Sequence, residues 1–60
     1  MMECRWEFKE IGQGHYHTDF LDCVTEAVGA SRKRPGMTVV IEKFRPERKP
    51  IVSLKNGKLI

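Results

Sequence analysis

The chain has no long apolar run and only two cysteines. No stretch approaches the roughly 20 apolar residues that a membrane-spanning helix requires. The opening segment, MMECRWEFKE, is charged throughout and lacks the apolar core of a signal peptide. We therefore expect a cytoplasmic protein that does not enter a membrane, in which Cys4 and Cys23 are reduced.

The motifs that mark most enzymes are also missing. The GQG segment at residues 12–14 lacks the surrounding pattern and the lysine of a phosphate-binding loop. Ser31 and Ser53 have no evident His–Asp arrangement for nucleophilic catalysis. A chain of 60 residues buries only about 60% of its unfolded surface, which leaves little material for a deep pocket. We therefore expect a single small domain over residues 1–60 that is not an enzyme and binds no cofactor.

Apolar and charged residues alternate from Met2 to Lys9, which is typical of a half-buried strand. Thr18 and Asp19 then predict the N-terminus of a helix. The helix is expected to bury the apolar stripe Phe20, Leu21, Val24, Ala27 and Val28. Glu26 falls on the predicted solvent side of this helix, and Gly29 is a candidate for its C-terminal stop.

The second half of the chain predicts strands. MTVVIEKF and IVSL are rich in β-branched residues, and Asn56-Gly57 is a strong hairpin signal that predicts a short further strand. The element order is β-α-β-β, with a last strand as an option. The simplest α+β fold packs the single helix on the Trp6/Phe8 face of a three- to four-stranded sheet, with the first two predicted strands running in the same direction.

This order predicts a basic end of the sheet. The segment that follows the helix and the turn at Asn56-Gly57 should lie at the same end, remote from the second basic segment, RPERKP at residues 45–50. The candidate partner-binding residues at this end are Arg32, Lys33, Arg34, Lys55 and Lys58. The alternative is a solvated surface, because a helix dipole favours basic residues at its C-terminus and hairpin lysines discourage edge-to-edge pairing.

The leading functional hypothesis is a non-enzymatic binding protein with a macromolecular partner. Eleven basic against eight acidic residues give a net charge of only +3, and few aromatic residues are expected in solvent. An acidic protein surface is therefore favoured over nucleic acid as the partner. Short α+β chains of this kind are common among accessory proteins of phages and mobile elements, an analogy of size that rests on no motif.

Two further hypotheses remain open. His15 and His17 are two residues apart and are candidate metal ligands, with Cys4 and Cys23 as the other donors of a small metal-binding or redox protein. The chain has no paired C-x-x-C or H-x-x-x-H spacing, so the simpler interpretation is loop histidines and core thiols, with no metal.

The second is a purely structural homodimer subunit. Val40, Phe44 and Ile51 predict a small apolar interface on the face of the sheet that the helix leaves open, and a thin core would gain burial from pairing.

Overall fold

One α-helix and five β-strands form the fold of residues 3–44 and 47–60, the part of the chain that the computed structural model describes. The elements are β1 (Cys4–Phe8), β2 (Gly14–His17), α1 (Phe20–Lys33), β3 (Val39–Lys43), β4 (Lys49–Lys55) and β5 (Lys58–Leu59). The predicted α+β class, with one helix on one face of a small sheet, is confirmed. The sheet has one strand more than the three or four predicted.

Strand β2 is the additional element, in a segment that the sequence indicated as a loop. The sheet is antiparallel throughout, in the order β2-β1-β3-β4-β5. Gly14 permits the β1–β2 pair, because a Cβ at this position would collide with the carbonyl oxygen of Trp6. Since β2 reverses the chain before the helix, β1 and β3 run in opposite directions. The expectation that they run in the same direction is wrong.

Helix α1 begins where the sequence predicts and ends later. Asp19 is the N-cap, with an extended backbone and a side chain that accepts a hydrogen bond from the amide of Leu21 at 3.3 Å. Gly29 does not stop the helix, which continues to Lys33. The stop comes at Arg34, because the following Pro35 disfavours helical backbone in the residue before it. Within residues 3–44 and 47–60, no helix is long and apolar enough to cross a membrane.

The core lies between the helix and one face of the sheet, as the alternation in β1 predicts. Trp6 and Phe8 are each 6% exposed, and their rings meet edge to face with centroids 5.4 Å apart. The remaining buried apolar residues are Cys4, Cys23, Ala27, Val39, Ile41 and Leu54. Met2, expected on the same face, lies outside the described residues.

The buried face of the helix is rotated relative to the prediction. Its fully buried residues are Cys23, Ala27 and Ser31, spaced one turn apart, whereas Leu21 is 72% exposed. Phe20, Val24 and Val28 pack at the edge of the core and are only partly buried. Small side chains therefore lie closest to the sheet, which lets the helix approach it closely.

Candidate functional site

The C-terminal end of the helix is joined to the β4–β5 turn by two hydrogen bonds. The amide of Gly57 donates to the buried hydroxyl of Ser31 at 2.7 Å, and the amide of Gly36 donates to the side-chain oxygen of Asn56 at 3.3 Å. Asn56 and Gly57 both have positive φ, as the two-residue turn predicted from their sequence requires. The basic segment that follows the helix and the β4–β5 turn with its lysines therefore lie side by side.

Two arginines of this basic end have defined contacts. A Cβ at Gly57 would lie 2.7 Å from Cγ and Nε of Arg32, so the Arg32 side chain rests on the turn. The guanidinium of Arg34 lies 5.4 Å from the centroid of the Phe8 ring, within the range of a cation–π contact. The five candidate residues at this end of the sheet are Arg32, Lys33, Arg34, Lys55 and Lys58.

The positive charge of the basic end is not neutralised by ion pairs. Across the two described ranges, none of its five side chains forms an ion pair with a carboxylate. The carboxylate of Glu10 interacts with Lys55 of the basic end and accepts a hydrogen bond from the amide of Thr38 at 2.8 Å. That bond holds the pKa of Glu10 below its usual value, and the charge of Lys55 acts in the same direction.

The other basic segment is different, because its described residues are paired. Arg48 donates from two nitrogens to the two carboxylate oxygens of Glu42, each at 3.0 Å, and its guanidinium lies 5.5 Å from the Phe44 ring centroid. The ammonium of Lys49 lies 3.4 Å from Glu47. Arg45 and Pro46 of this segment lie outside the described residues. The charges of Arg48 and Lys49 are therefore paired within the protein.

A second cluster surrounds Glu26, which the sequence placed on the solvent side of the helix. One carboxylate oxygen, Oε1, lies 2.7 Å from Nε1 of Trp6, 2.8 Å from Nδ1 of His15 and 2.9 Å from Nε2 of His17. The histidines reach it because β2 pairs with β1 and sets His15 opposite Trp6 and His17 opposite Cys4, on the helix side of the sheet. Without β2, no feature of the sequence links Glu26 to them.

Hydrogen bonds stabilise the charged form of Glu26 in this cluster, which is partly open to solvent. Hydrogen bonds from His17 and then Trp6 hold the pKa of Glu26 below its usual value. The side chains of His15, His17 and Glu26 are 66%, 21% and 39% exposed. Their three ligand atoms lie within 4.8 Å of one another, a spacing that a metal ion could bridge. A shallow cleft beside the cluster is lined by Trp6, His15, Glu26, Gly29, Ala30 and Lys33.

The two cysteines, expected as partners of the histidines, do not belong to this cluster. Cys4 and Cys23 are fully buried free thiols in the core. Burial raises the pKa of the Cys23 thiol, and its contact with the Cys4 thiol raises it further. A buried protonated thiol is a poor nucleophile and a poor metal ligand. Among the described residues, the only group with metal-ligand spacing is His15, His17 and Glu26.

The residues of the predicted apolar interface are dispersed on the sheet. Val40 lies opposite Ser53 in the β3–β4 pair, and Ile51 falls at an irregularity in the register, with no direct partner. Phe44 meets Tyr16 edge to face, with ring centroids 5.5 Å apart. Val40 and Ile51 are therefore not directly opposite each other, and the homodimer contact stays a prediction.

Comparison with protein-family models, with curated proteins and with solved structures found no match. A small sheet with one helix does not define a function, because one fold can carry many kinds of site. Any functional assignment therefore depends on the side chains of the basic end and of the Glu26 cluster.

Proposed function

We propose that this protein is a non-enzymatic binding module whose basic end docks on an acidic surface of a protein partner. The observation that carries the proposal is the basic end itself, where the turn at Asn56-Gly57 is hydrogen-bonded to the end of the helix. Five basic residues lie in the segments that these bonds join, and within the described residues none of their side chains forms an ion pair with a carboxylate. Unpaired charge of one sign steers and orients an oppositely charged partner.

Lys55 and Lys58 strengthen the proposal. They lie directly opposite each other across the turn, and like charges at such positions destabilise a β-sheet. The repulsion between the two ammonium groups does not stabilise the hairpin. A contact with an acidic partner would turn the repulsion into attraction for both side chains.

A protein partner fits these features better than nucleic acid. The net charge of +3 is low for a protein that binds nucleic acid, and Glu10 adds a negative charge beside Lys55. Single-strand binders stack bases on exposed rings beside a basic groove. Here Tyr16, 48% exposed, packs against Phe44, which follows β3 at the opposite end of the sheet from the basic end.

A non-catalytic role in the cytoplasm is part of the same proposal. Both thiols are buried and unpaired, in keeping with a reducing compartment and with the absence of thiol catalysis.

The test compares two cross-strand lysine pairs, each of which has one member on β4. Wild-type protein, the Lys55→Gln/Lys58→Gln variant and a control Lys43→Gln/Lys49→Gln variant are immobilised and exposed to native lysate with and without nuclease treatment. The control removes the same charge from a cross-strand pair at the opposite end of β4. We expect a protein that the wild type and the control retain and that the Lys55/Lys58 variant loses. The captured protein, once purified, should bind the wild type and the control with similar affinity and the Lys55/Lys58 variant more weakly.

Two outcomes would contradict the proposal. Equal retention by all three proteins would remove the basic end as the binding surface. Retention that disappears on nuclease treatment would point to nucleic acid, and binding to a duplex oligonucleotide should then weaken with salt by about 0.9 in log–log slope per phosphate contacted.

A further inference from the structure

The Glu26 cluster, in which Trp6, His15 and His17 contact Glu26, is distinct from the proposed docking contact of the basic end. We propose that His15, His17 and Glu26 bind a divalent transition-metal ion, with zinc as the ion that these donors suit best. Two imidazoles and one carboxylate are a common set of protein ligands for zinc. The proposal needs neither cysteine, since the ligand atoms are Nδ1 of His15, Nε2 of His17 and an oxygen of Glu26, all within 4.8 Å of one another.

The distances suit a metal after a small adjustment. Nδ1 of His15 and Nε2 of His17 lie 2.8 and 2.9 Å from Oε1 of Glu26. Zinc with bonds of about 2.0–2.1 Å to tetrahedral ligands separates those ligands by about 3.3–3.4 Å. Each of these nitrogens therefore needs to move away from the carboxylate oxygen by roughly 0.5 Å. Side-chain rotation supplies this, since the His15 side chain is 66% exposed and has room to turn.

The backbone around the ligands is well supported. His15 and His17 alternate on β2 and so project to the same side of a strand that pairs along β1. Glu26 precedes the fully buried Ala27 on the helix, which fixes its height above the sheet. A preformed arrangement of this kind lowers the cost of ordering ligands around an ion.

Trp6 acts as a supporting hydrogen-bond donor. Its indole nitrogen donates to Oε1 of Glu26 at 2.7 Å, which orients the carboxylate toward the histidines. Such partners of ligating groups set their direction and strengthen metal binding. In the metal-free form three nitrogens compete for a single carboxylate oxygen. An ion between the imidazoles and the carboxylate would replace two of these contacts with coordinate bonds.

The site leaves one coordination position for a ligand from solvent. Three protein ligands and an open fourth position are the pattern of zinc sites that accept water or an anion. On the helix, the adjoining cleft is lined by the small residues Gly29 and Ala30 and by Lys33. The charge of Lys33 would favour an anion over water in that position.

Binding can be followed by a signal that belongs to this site. Trp6 is the only tryptophan in the chain, and its ring centroid lies 5.6 Å from that of His15. We expect Cu²⁺ to quench its fluorescence with a stoichiometry of one and Zn²⁺ to compete with the quencher. Titration calorimetry with Zn²⁺ alone should give the same stoichiometry. In the Co²⁺ form, the absorption spectrum should lack a thiolate charge-transfer band.

Variants test each ligand against a matched control. His15→Ala and His17→Ala should each lower zinc affinity by at least about 100-fold, more than the 10- to 100-fold expected for a supporting residue. Glu26→Gln keeps an acceptor for Trp6, His15 and His17 and should also lose affinity. Asp22→Asn, which removes an exposed carboxylate from the same helix, should bind zinc as the wild type does.

Clear results would overturn the proposal. If the wild-type protein gives no heat of binding with Zn²⁺ and no quenching of Trp6 fluorescence with Cu²⁺, the proposed site does not exist. Unchanged zinc affinity in a His15→Ala/His17→Ala variant, or a thiolate band with Co²⁺, would place the ion elsewhere. Circular dichroism of each variant without metal checks its fold. For any variant that unfolds, the thermal shift of the wild type with Zn²⁺ is decisive, since an ion that binds the native state raises its melting temperature and a shift of zero excludes the site.

Discussion

Lys55 and Lys58 lie directly opposite each other across the Asn56-Gly57 turn, at the end of the sheet where the helix also ends. A second lysine pair, Lys43 and Lys49, lies opposite each other at the far end of the β3–β4 ladder, but there Lys49 contacts Glu47 at 3.4 Å. Within residues 3–44 and 47–60, neither Lys55 nor Lys58 forms an ion pair with a carboxylate. The positive charge of the Lys55/Lys58 pair is therefore available to a partner, whereas that of Lys49 is paired with Glu47.

We predict that replacing one lysine of this pair stabilises the protein. Lys58→Glu should convert repulsion into an opposite-charge pair with Lys55 and raise the free energy of unfolding by about 0.2–1 kcal/mol. Urea denaturation measures the change. Lys58→Gln, which removes the repulsion without adding an attraction, should lie between the wild type and Lys58→Glu. A Lys58→Glu variant less stable than the wild type would show that the pair does not repel.

Gly57 should tolerate a side chain poorly, because its backbone is left-handed. Its φ is +77°, and a Cβ there would lie 2.7 Å from two atoms of Arg32. Gly57→Ala should therefore lose about 1–2 kcal/mol of stability from the left-handed backbone, and more if Arg32 is displaced. Thermal unfolding checks the value.

Gly29 provides the matched control for this substitution. It lies inside the helix, and a Cβ added there meets no atom within 4 Å. Gly29→Ala should gain roughly 0.8–1.0 kcal/mol from helix propensity. A stabilising Gly57→Ala or a destabilising Gly29→Ala would contradict the turn and helix geometry described above.

The parts of the fold that could be predicted are those with a regular pattern. Alternation in β1 placed Trp6 and Phe8 in the core, and Asn56-Gly57 placed the last turn. The proximity of the Asn56-Gly57 turn to the basic segment that follows the helix could be predicted from these two features together with the capped helix. Regular patterns of this kind reflect local geometry, so they could be recognised without any tertiary information.

The Glu26 cluster could not be predicted, for two physical reasons. The four residues of β2, Gly14–His17, carry no alternation of apolar and polar side chains, and the strand exists because it pairs with β1. The helix, in turn, buries small residues and the hydroxyl of Ser31, which periodicity of large apolar residues does not detect. Glu26 was therefore assigned to solvent, although its carboxylate contacts a core tryptophan.

The buried thiols should be unreactive in the folded protein. Cys4 and Cys23 are both fully buried, and burial raises the pKa of Cys23 so that its thiolate is scarce at neutral pH. Because the thiolate is the reacting species, dithiobis-nitrobenzoate should label neither thiol in the native state and both in denaturant. Absorbance of the released thionitrobenzoate measures the labelling. Rapid reaction of one native thiol would show that it reaches solvent or that the core opens readily.

Acid should destabilise the protein partly through Glu42. Hydrogen bonds from Arg48 hold the pKa of Glu42 below its ordinary value of 4.5, and Glu7 and Arg5 lower it further. Because the folded-state pKa is the lower one, the stabilisation is complete above about pH 4.5 and is lost as the pH falls through the folded-state pKa. Glu42→Gln should therefore be less stable than the wild type at neutral pH, and the difference should shrink in acid. Urea denaturation between about pH 7 and pH 3 measures it.

The control variant is Glu47→Gln, which removes an exposed carboxylate at the same end of the sheet. The dependence of its stability on pH should stay close to that of the wild type. A Glu42→Gln variant with the full acid sensitivity of the wild type would assign that sensitivity to other carboxylates.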